Sequence, residues 1–498
     1  MVKQFVDERW LIRKRSSGKA RVALVFPNSY FVGMSNLGLH VVLRLLSEEY
    51  AIACERAFIN GESMNKPVRT IESGSLLSSF SVIAFSVPFE GDYPNIVRAL
   101  LGSGITLRAV ERKPLEPIII GGGTALSINP EPIADIFDAI VMGEAEAVMG
   151  ELSTAVEALA HEREREKIWE RLSSIDGVYV PMLMDRPPNV VLADMKQIEP
   201  AHSVILTRET EFANTFLIEI ARGCNFKCHY CAYGNLYCRA RFFTADQVIN
   251  VVRRYREKFD SVGLVSAVVS SHPEVEKIAW AIADDGLRVS VSSLRADTLT
   301  EGLVAALSKS GSTSMTIAPE TGTERLRRAI GKSISDEDIE RAIKLAEKHG
   351  MHSIKLYFMF GLPFETDEDV TAIGELVKGL AERQKGMSFT VSACAFVPKK
   401  GTPLERFGMA PAQVLERRSK LLLSSLKGIE RVRVSIESIR MSQLQALFSL
   451  GDRRVLSVIE RAIGLGGSFS AWKRAVAETL CCTLEDFTQH PVTTQATN

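Results

Sequence analysis

The stretch Ala221-Arg-Gly-Cys-Asn-Phe-Lys-Cys-His-Tyr-Cys-Ala-Tyr-Gly234 sets Cys224, Cys228 and Cys231 in a Cys-x3-Cys-x2-Cys array. Three thiolates this close in sequence can grip one iron–sulfur cluster and leave one iron without a protein ligand. An open metal position is where a substrate or cofactor binds. The run before it, Thr215-Phe-Leu-Ile-Glu-Ile220, is short, apolar and β-prone, and Arg222-Gly223 breaks it. The cysteines therefore fall on a loop just past the carboxyl end of a strand, where α/β folds place their active sites. The competing reading of the spacing is a structural zinc site, with Cys238 or His229 as fourth ligand.

Around this loop the chain is ordinary in bulk. It has 498 residues, 46% hydrophobic and 24% charged, with a formal net charge of zero, which predicts several soluble domains and no global basic field for nucleic acid. The first residues lack the apolar core of a signal peptide. No stretch reaches the ~18 uninterrupted apolar residues of a membrane span. A cytoplasmic location follows as the expectation, with reduced thiols. Of the eight cysteines, three lie within eight residues and Cys54, Cys238, Cys394, Cys481 and Cys482 scatter, a pattern for a metal loop and not for a disulfide framework.

Working upstream, residues 1–185 read as an N-terminal Rossmann-like, doubly wound parallel sheet. Arg21–Phe26, Ser81–Ser86, Pro117–Ile120 and Asp138–Met142 are short apolar runs alternating with helical stretches such as Asn36 to Glu49. Ligands of such sheets sit at the strands' carboxyl ends, where Ser86, Gly121, Gly122, Gly123, Gly143 and Glu144 fall. Glycines there either admit a phosphate or large ring to the backbone or make tight turns. His40 falls inside a helix and reads as structural. The run from His161 to Lys167 reads as a solvated charged face. Residues 186–212, opened by Asp185-Arg-Pro-Pro, read as a linker.

Working downstream, residues 213–408 read as six strand–helix units, a (β/α)6 partial TIM barrel. After the strand before Cys224 come Gly263–Ser270, Arg288–Ser293, Ser314–Ala318, Ile354–Phe360 and Ser388–Phe396. Ser335 is placed to cap a helix from Asp336 to His349, with Ile339, Ala342, Ile343 and Ala346 as its apolar face, and Thr366-Asp-Glu-Asp opens another in the same way. Cys394 reads as a small buried residue within a strand, and Cys238 either as a substrate-handling thiol or, the favoured reading, as inert. Residues 409–498 read as a small, mostly helical C-terminal region with a strand at Val432–Ile436 and a disordered last ten residues.

The cluster loop, with Tyr230 just before the third cysteine, resembles that of the radical S-adenosylmethionine (SAM) enzymes. The resemblance implies a [4Fe-4S] cluster on Cys224, Cys228 and Cys231, with SAM chelating the fourth iron. One electron then cleaves SAM to methionine and a 5′-deoxyadenosyl radical. It further implies SAM contacts from Tyr230, from Glu320 in Ala-Pro-Glu-Thr-Gly, and from Gly361 and Glu365 in Gly-Leu-Pro-Phe-Glu. Ser270 and Ser271 stand where the family usually has Gly-Gly-Glu, a departure that leaves backbone carbonyls or hydroxyls to receive the SAM amino group. Arg295 reads either as the partner of a SAM or substrate carboxylate or as a surface ion pair.

The glycine triplet, Asn129-Pro-Glu-Pro132 and Asp138-Ala-Ile-Val-Met-Gly-Glu144 resemble the cobalamin-binding-type domain fused ahead of many radical SAM enzymes. The domain lacks the Asp-x-His-x-x-Gly element that supplies a cobalt ligand in other cobalamin proteins. The leading expectation is methylation of an unactivated carbon with methylcobalamin, on a small-molecule or lipid-like substrate, with flavodoxin or ferredoxin as electron donor. Cobalamin-free radical carbon–carbon chemistry, an RNA methylthiotransferase and a zinc-stapled binding module rank below it. Methylthiotransferases carry a second cluster on three N-terminal cysteines, and here that region has only Cys54.

Overall fold

The structure, a computed structural model, describes residues 7–13, 20–50, 52–59, 66–159 and 162–489. The expected disorder at the C-terminus thus concerns residues outside that range, Gln489 excepted. The chain divides into two compact units. One holds residues 1–214 together with Gly451–Cys482, and the other holds Thr215–Leu450 with the C-terminal segment from Thr483.

In the first unit, β1 (Glu8–Trp10) pairs antiparallel with β8 (Ile205–Thr207), tying the start of the chain to the stretch expected as a linker. The main sheet contains β2 (Arg21–Phe26), β3 (Ala53–Phe58), β4 (Val82–Ser86), β5 (Ile118–Gly122), β6 (Ala139–Val141) and β7 (Val178–Tyr179), in the order β3-β2-β4-β5-β6-β7. All neighbours run parallel except β7 against β6. β2, β4, β5 and β6 are largely apolar on both faces, as strands covered by helices on both sides must be. The strand order reverses between β2 and β4, which makes their carboxyl ends the topological switch point.

Two buried charge networks fix this sheet. Asp138, fully buried, accepts from Arg112, Arg165, the Trp169 indole and the Ile119 amide at 2.7–3.1 Å. Arg56 bonds Glu8 and Glu72 at 2.7 Å each and lies over the Trp10 ring. The helix Leu37–Arg44 continues as a π-helical turn, Leu45–Glu49, so the expected single helix is two segments. His40 on it is structural, with Nε2 bonded to the Met34 carbonyl and Nδ1 accepting from the Val204 amide. Burial pushes its pKa down to about 4, so it is neutral.

The Gly451–Cys482 segment expected as part of a separate tail packs into this unit. Arg453 binds Glu131, Asp135 and the Tyr179 hydroxyl, Arg108 binds Glu460, and Asn129 donates to the Gly451 carbonyl.

In the second unit β9 (Thr215–Glu219) leads into the cysteine loop, whose neck is a short antiparallel pair, β10 (Ala221–Arg222) with β11 (Arg241–Phe242). β12 (Ser261–Val265) and β13 (Arg288–Val291) continue the sheet beside β9. β14 (Ser314–Glu320), β15 (Ser353–Phe360), β16 (Ser388–Ala395) and β17 (Val432–Ile436) follow in order, and a parallel bridge between Leu294 and Ile317 joins the two runs. All seven strands are parallel, and each of the six connections between successive strands carries one or two α-helices. The barrel therefore has the six expected units plus a seventh strand, Val432–Ile436, from the region assigned to the tail.

Along β15, Ile354, Leu356, Phe358 and Phe360 are buried while Ser353, Lys355, Tyr357 and Met359 are half-exposed, and β16 alternates likewise. The first set faces the helices. The second lines the barrel interior, polar at Ser353, Lys355 and Tyr357, while Met359 packs against an apolar cluster.

Candidate functional site

The cysteine loop is hung from its neck by backbone bonds. Cys224 donates its amide to the Tyr237 carbonyl at 3.1 Å and accepts from the Arg239 amide at 3.2 Å. Gly223 holds φ +76, and a Cβ there would lie 2.5 Å from the Arg239 carbonyl oxygen, so only glycine starts this loop. Cys231 caps the short helix Ala232–Leu236, its sulfur accepting from the Gly234 amide. Asn235 donates to the carbonyls of both Cys228 and Cys231, at 3.0 and 2.8 Å. The loop is thus held by its own backbone and side-chain bonds.

The three thiols are free and close to one another. A Cβ built on Gly234 would touch Cys231 Sγ at 3.7 Å and Cys224 Cβ at 3.8 Å. Burial raises the Cys224 and Cys231 pKa values, and the neighbouring sulfurs raise them further. Among the described residues no group of three or more His, Cys, Asp or Glu is arranged to hold a metal ion. A lone zinc needs its sulfur ligands at about 2.3 Å from one centre. A [4Fe-4S] cluster instead spreads its thiolates over several irons. Cys238 is exposed, pairs its backbone with Cys224 and belongs to no such group.

Beside the loop stands Glu320, at the end of β14 beyond a break in register with β15. Its backbone has φ +73, a conformation that costs a non-glycine residue about 1–3 kcal/mol and persists only where neighbours enforce it. The Tyr230 hydroxyl donates to Glu320 Oε1 at 2.9 Å and Lys332 Nζ to the same oxygen at 2.7 Å. Lys332 gave no signal in sequence, because twelve residues and a whole helix separate it from Glu320. Gly331, beside Lys332, lies against the His229 ring, and the Ile330 carbonyl accepts from the His229 amide.

Arg295, 8% exposed, lies 3.9 Å over the Phe226 ring between Cys224 and Cys228, with its Nε on Asp297. The expected ion pair is therefore present but buried rather than at the surface, and the guanidinium also stacks on the cysteine loop. The Ser270 hydroxyl is not open to a ligand. It is spent on Thr298, at 2.7 Å, and on the Arg295 backbone, so it positions that arginine. Ser271 turns back to the Val268 carbonyl, and His272 bridges the Phe243 carbonyl and the Glu274 amide.

Glu365 is likewise occupied. Its Oε2 accepts from the Gly361 amide at 2.6 Å and from Arg418 at 2.8 Å, and the carboxyl is almost fully buried. Gly361, at φ +80, lets Leu415 approach to 2.3 Å of where a Cβ would stand. These two residues shape the end of β15, with Glu365 Oε2 committed to Gly361 and Arg418.

In the first unit the glycines have internal reasons. A Cβ on Gly121 would meet Leu126 and Phe137 at 2.7 Å. On Gly123 it would meet the Val87 carbonyl at 2.6 Å, and on Gly143 the Val191 carbonyl at 2.2 Å. Gly122 meets nothing closer than 3.6 Å. Glu144 accepts from the Ala193 amide. Ser86 is buried at the end of β4, in register with Gly122.

The open surface lies elsewhere, at the switch point. There the loops after β2 and β4 are joined by Asn28 donating to Asp92 at 2.7 Å, and they carry the exposed apolar side chains Phe31, Val32 and Phe89. Sequence alone could have flagged them as apolar residues in loops at strand ends.

Residues 218–377 match the radical SAM superfamily model, and residues 38–181 match the model for the N-terminal region of radical SAM proteins. An uncharacterised protein of Methanocaldococcus jannaschii, MJ0966, is 27% identical over 91% of this chain and 94% of its own length. An uncharacterised methyltransferase of Pyrococcus horikoshii, PH0819, is 25% identical over 53% of this chain and 58% of its own. Among solved structures, the radical SAM methyltransferase TsrM of Kitasatospora setae, with cobalamin and a [4Fe-4S] cluster bound, superposes with a TM-score of 0.59. It is 14% identical over 92% of this chain and 98% of that one. The cobalamin-dependent radical SAM enzyme OxsB gives 0.50 at 13% identity, over 90% and 69%. Likeness at that identity speaks for the fold.

Proposed function

From a chain that belongs to the radical SAM superfamily, we infer reductive cleavage of SAM at a [4Fe-4S] cluster held by Cys224, Cys228 and Cys231. The observation that carries it is the loop at the carboxyl end of the first barrel strand, which holds three free thiols by its own bonds. The bound cluster supplies the electron that breaks a carbon–sulfur bond of SAM. The chain's own work is to keep three thiolates in place and to offer the free Oε2 of Glu320 to a donor on SAM. It also presents a polar interior, lined by Tyr357, Ser392 and Thr390, to a substrate. Reduction needs a protein donor of the flavodoxin or ferredoxin type.

The finer reading is methyl transfer with cobalamin on the first unit. Phe31, Val32 and Phe89 at the switch point favour it, since an exposed apolar platform there suits a large flat ring. His40 is committed to two backbone bonds, so the ring would be held without that histidine on cobalt.

Anaerobic purification with cobalamin supplied, followed by iron, zinc and cobalt analysis, tests both levels. About four irons per chain, lost in Cys224→Ala, is the expected result, and zinc in place of iron overturns the reading. Cobalt near one per chain supports methyl transfer. Iron without cobalt leaves radical chemistry and removes the cobalamin step.

A further inference from the structure

We propose that Lys332 is a positioning residue for the reaction centre: with Tyr230 it locks one oxygen of Glu320, so that the other faces SAM, and it places a buried positive charge beside the cluster. The inference rests on the cluster reading above and goes beyond it.

Three facts converge on Lys332. It is 7% exposed, and a buried ammonium is held only by what pairs it. Its partner is Glu320 Oε1, which also receives the Tyr230 hydroxyl. One carboxylate oxygen is therefore filled twice while Oε2 has no bond among the described residues. A carboxylate held in this way cannot rotate to exchange its oxygens without breaking both bonds, so a single acceptor is aimed by construction.

The second fact is the backbone. Glu320 sits at φ +73, past a register break, and such a conformation persists where surroundings over-determine it. The Lys332 and Tyr230 bonds are two of those determinants. Arg327 is a third: wholly buried, it bonds the Thr321 and Ile334 carbonyls and pairs with Asp336, closing the turn on both sides of Lys332.

The third fact is charge. Lys332 binds the same Glu320 oxygen as Tyr230, the residue between Cys228 and Cys231 on the cysteine loop. Arg295 lies against Phe226 of the loop, and the Lys332 segment is bonded to His229 of the same loop. A cluster bound by three thiolates gains negative charge on reduction. Buried cations next to it favour the reduced state and raise its potential.

Orientation and charge make separable demands. In anaerobically reconstituted full-length protein, Lys332→Met removes both, Lys332→Arg keeps the charge, and Tyr230→Phe removes one bond while leaving the charge in place. The readouts are iron content, SAM affinity by equilibrium dialysis, the EPR spectrum of the reduced cluster with and without SAM, and the midpoint potential. Lys332→Met is expected to keep its iron, bind SAM at least tenfold more weakly and shift to a more negative potential. Lys332→Arg recovers the potential. Tyr230→Phe weakens SAM severalfold at unchanged potential.

Lys332→Met with wild-type SAM affinity and potential overturns the proposal while leaving the cluster reading intact. If Lys332→Met fails to load iron, Tyr230→Phe decides: wild-type SAM affinity in that variant overturns the orienting role. A wild-type protein without a cluster overturns both readings together.

Discussion

Glu365 makes the pH dependence of the barrel calculable. Its carboxyl is nearly devoid of solvent, and burial pushes its pKa up to about 7 from an ordinary 4.5, although the Arg418 ion pair and the Gly361 amide pull the other way. Between those two values the folded chain holds a proton that the unfolded chain has released. Stability therefore falls as pH rises: this contribution is whole below about 4.5 and gone above about 7. A shift of about 2.5 units at about 1.4 kcal/mol each is worth roughly 3 kcal/mol. Glu365→Gln keeps the shape and removes the titration. Denaturant-dependent hydrogen exchange of the Ser353–Phe360 strand, compared between wild type and variant at each pH, cancels the intrinsic exchange rate. The wild-type advantage over Glu365→Gln is expected to shrink by about 2–3 kcal/mol from pH 5 to pH 8. A flat difference refutes the argument. A difference that grows with pH means that the Arg418 pair outweighs burial.

Other sites give sharp expectations. Asp138→Ala leaves the buried Arg112 and Arg165 without their carboxylate and is expected to cost about 3–5 kcal/mol, read as a fall in melting temperature of roughly 10 °C for the first unit. Gly143→Ala, whose Cβ would stand 2.2 Å from the Val191 carbonyl at φ +118, is expected to cost at least about 2 kcal/mol, whereas Gly122→Ala is expected to melt like wild type. Arg327→Met orphans two carbonyls and an aspartate and is expected to cost about 3 kcal/mol while loosening SAM binding, checked by thermal melting and equilibrium dialysis. Cys238→Ser is expected to leave iron content unchanged, since that thiol is exposed and stands outside the array.

What could be read in the chain beforehand was whatever depends on neighbours in sequence. Ser335 and Thr366 form capping boxes with Asp338 and Asp369, and Ile339, Ala342, Ile343 and Ala346 are all buried on one face. The three cysteines and the strand before them were legible for the same reason. Misread features depend on partners far along the chain. Nothing local says that Glu365 is consumed by Arg418, fifty-three residues on, or that Ser270 holds the Arg295 backbone. Gly123 and Gly143 look like ligand glycines until the Val87 and Val191 carbonyls arrive beside them. Lys332 was invisible because its meaning lies in the strained carboxylate that it meets after a helix. The seventh barrel strand was seen as a strand but assigned to the tail, since its alternating, half-exposed pattern names no partner sheet.

The return of Gly451–Cys482 to the first unit sets a timetable for synthesis. Residues up to Asn214 leave the ribosome carrying Asn129, Glu131 and Asp135, whose mates Gly451 and Arg453 are still roughly 240 codons away. At about 5–20 residues per second that is a wait of roughly 12–50 seconds. Throughout it the unit has an unsealed flank where the helix Arg454–Gly464 will lie, exposing apolar surface that its Val455, Val458 and Ile459 later cover. A nascent chain in that interval is a natural client for a chaperone, and a gene cut after codon 214 would yield a fragment permanently caught there.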